Sequence, residues 1–378
     1  MNRTAFYFAL AALAGLSVFN YLNFPRCWRD KPVFRTSVIA LFILGTYSLA
    51  GIMTVYRYLP YDWMKWAVSR WGTLYYVLTV NQSILFAVRI LVRRVYIAIK
   101  KRNSEHITPT QRVFLLDKRV HSVVFASLSL ALAVVGFINI GVLRVTQYDI
   151  HIDKPCSVDE LNIVLVADIH AGAGTWSEAY SRLEQAINDA EPDVLLLAGD
   201  IFDETTSHQD VEYVKTLLKN VHPPMGTYYI YGNHDDFTLD ASAEIMRSVG
   251  VTVLEDEMAL LGDIQLIGRL DLKDGQEPLG ELMDRLSPDL SKPVIMLTHR
   301  PKELRQISDA GCDLALAGHT HGLNIPQFMA VGMSSDMLYG LRQYGGMTAV
   351  VTSGVSAWGF HYKFPAISEI VKLHVTFK

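Results

Sequence analysis

Asp168 and His170 stand one residue apart at the end of an apolar run, residues 161–167. A buried carboxylate beside an imidazole is costly unless a cation compensates it. The pattern recurs down the chain. Residues 194–198 run into Gly199-Asp200-Ile201-Phe202-Asp203, and residues 227–231 into Gly232-Asn233-His234-Asp235. Residues 294–297 run into Thr298-His299, and 313–317 into Gly318-His319-Thr320-His321-Gly322. Collected, Asp168, His170, Asp200, Asn233, His299, His319 and His321 offer two carboxylates, one amide oxygen and four imidazoles. One divalent ion takes about four to six ligands, so this set is a surplus for one and suits two that share a bridge. Asp200 is the expected bridge. Mixed nitrogen and oxygen donors without a thiolate favour Mn, Fe, Zn or Ni over Ca or Mg. Two such ions ~3.5–4 Å apart can hold a hydroxide and clamp a phosphoryl oxygen, which suits in-line attack on a phosphorus ester. Each motif alone is weak, since Gly-Asn-His-Asp also reads as a turn. The ordered set, each member at the end of an apolar run, is specific.

The elements that must carry these groups follow from their flanks. Short continuous apolar runs suit strands covered on both faces, and ligands bind at the carboxyl ends of strands in open α/β sheets. Between them lie segments of helical spacing at residues 177–190, with Ser177 as N-cap, and at 210–220, 241–249, 279–286 and 301–310. Residues 258–261 and 264–267 form a hairpin turning at Gly262-Asp263. Further strands are expected at 142–152, 251–254, 349–353 and 370–377. Alternating strands and helices indicate a layered α/β architecture.

The N-terminal portion has a different character. Half of the 378 residues are hydrophobic and mean hydropathy is +0.20, and the excess lies before about residue 143. Apolar stretches at 4–24, 36–56, 71–91 and 120–143 each match the ~20 residues needed to cross a bilayer. Asn81, Gln82 and Arg89 in the third must face a bundle interior or snorkel. No small-x-small cleavage site follows the first stretch, so it reads as a retained span. Arg26, Arg29, Lys31 and Arg35 lie in the first connection; Arg93, Arg94, Lys100, Lys101, Arg102, Arg112, Lys118 and Arg119 lie in the third. The positive-inside rule puts both in the cytoplasm and the C-terminal domain on the extracytoplasmic side of the cell membrane. The basic segment 100–118 is a topology determinant or an anionic-lipid contact. A net charge of −4 gives no global case for nucleic-acid binding, and three scattered cysteines frame neither a disulfide scaffold nor a zinc ribbon.

The order Asp-x-His, Gly-Asp-x-x-Asp, Gly-Asn-His-Asp, His and Gly-His-Thr-His resembles that of the calcineurin-like metallophosphoesterases, in their bacterial membrane-associated branch. The resemblance covers about residue 142 to the C-terminus and implies a four-layer α/β/β/α sandwich over residues 144–378; spans precede that domain in this branch, and the four apolar stretches give a four-helix transmembrane domain over 1–143. It also implies ligand roles. Asp168, His170 and His321 would hold one metal, Asn233, His299 and His319 the other, and Asp200 would bridge. His234 matches the non-ligand histidine that stabilises the transition state or protonates the leaving oxygen. Asp203 matches a second aspartate that orients a ligand. Ala167 stands where the family more often has Ser, and Leu323-Asn324 where the branch usually has Gly-Gln.

The expected function is therefore a membrane-anchored, dinuclear phosphoesterase. Its substrate would be a phosphodiester or pyrophosphate, lipid-linked or of the envelope, and membrane lipids would be its other partners. No nucleic acid is expected, and no protein partner can be deduced. The alternative is a metal-binding membrane protein that senses or binds. Arg269, Arg300 and Lys363 are candidates for phosphate contact. The aromatic run Trp358, Phe360, Tyr362, Phe364 reads as a packed hairpin or as a lip meeting lipid.

Overall fold

The computed structural model describes residues 3–378 except 104–105, 107, 109–110, 112–116, 176, 236–238, 271–275, 323 and 325–334. Leu323, one of the two departures from the family pattern, lies outside the described residues. The chain divides into two compact units, Met1–Val55 with Pro60–Val135, and Tyr56–Leu59 with Gly136–Lys378.

The first unit is helical: α1 (Arg3–Asn23), the short α2 (Arg26–Arg29), α3 (Pro32–Thr54), α4 (Asp62–Arg102) and most of α5 (Lys118–Gly141). Three of these, α3, α4 and α5, are long and apolar enough to cross a membrane, and Phe8–Asn23 is a shorter apolar helix. At 1.5 Å per residue the 41-residue α4 runs well past the stretch 71–91 that marked it, and past a ~30 Å hydrocarbon core. Arg89 is buried within the bundle, as its place in an apolar stretch requires.

Among the described residues the second unit pairs twelve strands into two six-stranded mixed sheets. These are β1 (Leu143–Ile152), β2 (Glu160–Val166), β3 (Val194–Ala198), β4 (Thr227–Ile230), β5 (Thr252–Val253), β6 (Glu257–Leu261), β7 (Ile264–Gly268), β8 (Val294–Leu297), β9 (Leu314–Ala317), β10 (Gly340–Tyr344), β11 (Met347–Val351) and β12 (Ser368–Phe377). One sheet runs β1-β12-β2-β3-β4-β5, the other β10-β11-β9-β8-β7-β6. The helices are α6 (Ser177–Asp189), α7 (His208–Lys219), α8 (Leu239–Ser248), α9 (Leu279–Leu286) and α10 (Leu304–Asp309).

Side chains alternate across a strand, and this sorts the core into layers. From β2, Ile163 and Leu165 join Leu196, Leu266, Leu297 and Leu316 between the sheets. Val164 and Val166 turn the other way, onto Leu183 and Ile187 of α6, Leu217 of α7 and Met246 of α8. On the far sheet, Val294, Met296 and Ala315 meet Leu282 of α9 and Leu304 and Ile307 of α10. The result is α/β/β/α, with the carboxyl ends of β2, β3, β4, β8 and β9 delivering the loops that matter.

Local chemistry moved several boundaries. Helix α7 begins at His208 behind a capping box, Ser207 with Asp210. Ser177 opens α6 as its first residue, with its hydroxyl on Glu178. The helix expected from residue 301 starts at Leu304, because Glu303 is left-handed at φ 57° and the distant Asp336 carboxylate accepts from Leu304 N at 3.0 Å. Strand β10 was not anticipated: Leu341, Arg342 and Gln343 are exposed on a sheet edge and carry no apolar alternation. The run 358–364 is not a hairpin; it forms no strand and packs as an irregular loop.

Candidate metal centre

The donors are placed by backbone that bends sharply just past each strand. Asp168, His170, Asp200, His319 and His321 all have positive φ, between 45° and 71°. Such conformations cost non-glycine residues energy and cluster where the surroundings over-determine them. Here cross-loop hydrogen bonds do so: Asp168 N donates to Gly199 O and His170 N to Asp200 O, each at 3.0 Å, and Gly318 N to His299 O at 3.0 Å. Asp235, the last residue of Gly-Asn-His-Asp, is a fully buried staple. Its carboxylate accepts from Asp200 N (2.7 Å), Phe202 N (3.0 Å) and Gly232 N (2.9 Å). Gly232 is required because a Cβ there would lie 2.2 Å from Asp200 Oδ1.

Two groups of donors result. Asp168, His170 and His321 converge as one, Asp200, His299 and His319 as the other. Asp200 lies between them, with Oδ2 3.1 Å from His299 Nε2 and 3.7 Å from His170 Nε2. Asn233 and His234 follow β4 to the same place, and His234 N donates to Asp200 Oδ1 at 2.8 Å. Tautomers are set from behind. Nδ1 of His299 lies 2.8 Å from the Ala198 carbonyl, and Nδ1 of His321 lies 3.3 Å from that of Ser356. A ring nitrogen that donates to a carbonyl leaves the other as a lone pair for a cation.

Electrostatics agree with a missing positive charge. Burial, then the interaction with neighbouring His299, holds His319 down to about 2. Burial and His170 push His321 well below its ordinary value. Burial raises Asp168, against the pull of His299. For Asp200 burial works upward, yet His299, by charge and hydrogen bond, holds it well below the carboxylate range. Both ring nitrogens of His170 and Oδ1 of Asn233 are buried without a hydrogen-bond partner among the described residues. Native proteins seldom leave such atoms unsatisfied. Divalent cations would answer His170 Nε2 and Asn233 Oδ1, while His170 Nδ1 faces the Asp203 carboxylate at 3.5 Å, so the residues present fit the metals that the donor set implies.

Around this centre the structure adds residues that sequence reasoning passed over. Asp203, the aspartate expected to orient a ligand, stands beside His170. Its carboxylate lies 3.5 Å from His170 Nδ1 and accepts from Thr205 N and Oγ1 at 2.7 and 2.6 Å. The next residue, Glu204, takes His234 instead, with Oε2 3.2 Å from Nδ1. Trp358 donates its indole N–H to that same Oε2 at 3.0 Å and stacks on the His234 ring, 5.1 Å between centroids at 29°. Burial works to raise Glu204, but the bonds from His234 and Trp358 hold it well below the carboxylate range. The only signals were adjacency to Gly-Asp-x-x-Asp and membership of the aromatic run. Asn324 secures that loop, donating to Tyr362 O (3.0 Å) and accepting from Phe364 N (2.8 Å). Two of the phosphate-contact candidates are structural. Lys363 is fully buried, donating to Ser353 O and Gly354 O, and burial pushes it down to about 7. Arg269 pairs with Glu303 at 3.1 Å.

Glu204→Gln is therefore expected to lower turnover about 10–100-fold while metal content stays at the parental value, the usual cost of losing a group that orients another. Glu204→Asp should recover part of the loss; equal rates in Gln and parent proteins would remove Glu204 from the site.

A model of the calcineurin-like phosphoesterase family matches residues 161–323, the stretch that holds every donor above. An uncharacterised metallophosphoesterase of Helicobacter pylori is 31% identical over 61% of this chain and 64% of its own. One of Aquifex aeolicus is 30% identical over 48% of this chain and 70% of its own. A Danio rerio protein named transmembrane protein with metallophosphoesterase domain is 28% identical over 64% of this chain and 60% of its own. The chain thus spans between 60% and 70% of the lengths of these relatives. With the ordered donors, the α/β/β/α layers and these similarities together, the chain belongs to the calcineurin-like metallophosphoesterase family, a family of metal-dependent phosphoester hydrolases.

Proposed function

We propose that this chain hydrolyses a phosphodiester or pyrophosphate bond of a lipid-linked substrate, using two divalent cations of the Mn, Fe, Zn or Ni kind. In this reading residues 1–143 anchor the protein in the cell membrane and residues 144–378 form a catalytic domain on its extracytoplasmic side. The observation that carries it is the pair of donor groups joined at Asp200. Asp168, His170 and His321 hold one cation, Asn233, His299 and His319 the other, and Asp200 reaches both. Cations held there supply charge for a phosphoryl oxygen and an acidified water.

The remaining chemistry belongs to the chain. His234, kept in place by Glu204 behind it and Trp358 on its face, gives a proton to the departing oxygen. The buried Asp235 staple holds the Asp200 and Asn233 loops in one arrangement, which limits reorganisation during reaction. The substrate class is supported by tethering, because an anchored hydrolase works on what the bilayer presents. It is supported also by a Chlamydia trachomatis relative named UDP-2,3-diacylglucosamine pyrophosphatase, 24% identical over 49% of this chain and 71% of its own.

The test is hydrolysis of a chromogenic phosphodiester, beside the matching monoester, by purified full-length protein stripped with a chelator and reloaded with one metal at a time. Metal-restored diester cleavage is expected. Failure with every metal, on chromogenic and diacylated pyrophosphate substrates alike, would sink the enzymatic reading and favour a metal-binding sensor. For topology, a reporter active only outside the cytoplasm and fused after Lys378 should be active; activity from a cytoplasm-only reporter would invert the orientation.

A further inference from the structure

The helical unit contains a groove of about 510 Å³ that the hydrolase reading does not use. Its walls run from Phe34 to Gly45 along α3 and from Gln82 back to Trp71 along α4. At 1.5 Å per residue each wall is about 16 Å long, half of a ~30 Å hydrocarbon core and so the depth of one leaflet. The lining is mainly apolar and aromatic.

Basic residues lie just beyond the lining at one end of the groove. Tyr21 and Trp28 line it, and the Arg29 guanidinium lies over the Tyr21 ring with Cζ 5.8 Å from the centroid. Trp28 and Phe34 pack together at 5.9 Å, and Phe24 meets both Phe34 and Phe86, which places Arg89, one turn beyond Phe86, at this same end. Arg29, Arg89 and Arg93 all lie near enough to Lys118 to act on its charge, and Asp117 lies near enough to Arg89 to act on that one. Arg29 Nε is buried without a hydrogen-bond partner among the described residues. One turn inward from Lys118, the Ser122 hydroxyl lines the groove, is 1% exposed and also has no partner.

Reading inward from that end gives cations, then an unsatisfied hydroxyl about 6 Å deeper, then an apolar slot one leaflet long. That order is the order of a glycerophospholipid: phosphate, ester carbonyl, acyl chain. We propose that this groove binds one anionic glycerophospholipid, its phosphate on Arg29, Arg89 and Lys118, an ester carbonyl accepting from Ser122, and an acyl chain between α3 and α4. A free phosphate would meet only the cations, and a zwitterionic lipid would bring a positive headgroup to them. The proposal concerns the helical unit alone and stands or falls independently of the hydrolase reading.

The experiment uses full-length protein in detergent micelles and reads tryptophan quenching, since Trp28 and Trp71 line the groove. Brominated phosphatidylglycerol, brominated phosphatidylcholine and inorganic phosphate are titrated separately. Phosphatidylglycerol should quench at a concentration at least tenfold below phosphatidylcholine, and inorganic phosphate should not displace it. The double variant R29Q/K118Q should lose about thirtyfold in phosphatidylglycerol affinity, from the usual contribution of a basic residue near a membrane surface. K215Q/K219Q, with the same charge change on α7 of the second unit, should stay within threefold of the parent. Should R29Q/K118Q lose its helical circular dichroism, Ala126→Phe serves instead: it narrows the groove without touching a charge and should also weaken quenching. Equal quenching by the two lipids, displacement by phosphate, or parental behaviour in Ala126→Phe would each overturn the site.

Discussion

Replacing Asp200 by Asn is expected to lower phosphoester hydrolysis by at least ~10²–10³-fold, the loss typical of removing one fixed electrostatic group from a reacting centre. The reason is its position. Asp200 Oδ2 lies between His299 and His170, one from each donor group, so the carboxylate is placed to serve both. The amide keeps the shape and can still accept from His234 N, so the fold should survive. Metal analysis should report less than one tightly held ion per chain where the parent holds two. Ligand linkage supplies a second readout. A cation at 100 times its Kd stabilises the parent by about 2.7 kcal/mol, and most of the associated rise in Tm should vanish in Asp200→Asn. Parental metal content and parental activity in this variant would refute the shared-ligand arrangement.

The second large effect separates chemistry from binding. His234→Ala should keep both metals and lose about 10²–10⁴-fold in kcat, the range for a lost proton donor. His234 contributes its backbone N–H to Asp200 and its ring to Glu204 and Trp358. Truncating the ring removes no metal donor, and among the donors costs only its edge contact with the His170 ring, 5.2 Å between centroids. The loss should grow as the leaving group becomes more basic, from a nitrophenoxide to an alkoxide, because only a basic leaving oxygen needs the proton. A uniform loss across leaving groups would instead make His234 a binding residue. Glu204→Gln should show the same leaving-group trend at smaller amplitude.

Much of the centre could be read from the chain in one dimension. A strand that ends in Asp-x-His or Gly-Asp presents its polar groups at the sheet edge whatever the rest of the fold does, because side-chain period and strand length are local properties. The apolar stretches of the N-terminal portion were legible for the same reason, since bilayer thickness sets their length. Arg89 shows where this stops. Its sequence position left an interior location or a snorkelling one open, and only the packed bundle buries it and brings it toward Arg29 and Lys118.

The chain by itself marked the expected donors: Asp168, His170, Asp200, Asn233, His299, His319 and His321 stand at the ends of apolar strands, and parallel pairing of β2, β3 and β4 and of β8 and β9 gathers those ends. Tertiary structure alone decided who supports them. Asp203 and Glu204 are adjacent carboxylates with near-identical chemistry, yet one faces His170 and the other His234. Trp358 reaches Glu204 across 154 residues of chain. Such choices depend on where irregular loops pass, and a loop's path is set by contacts distant in sequence, not by the periodicity of its own residues.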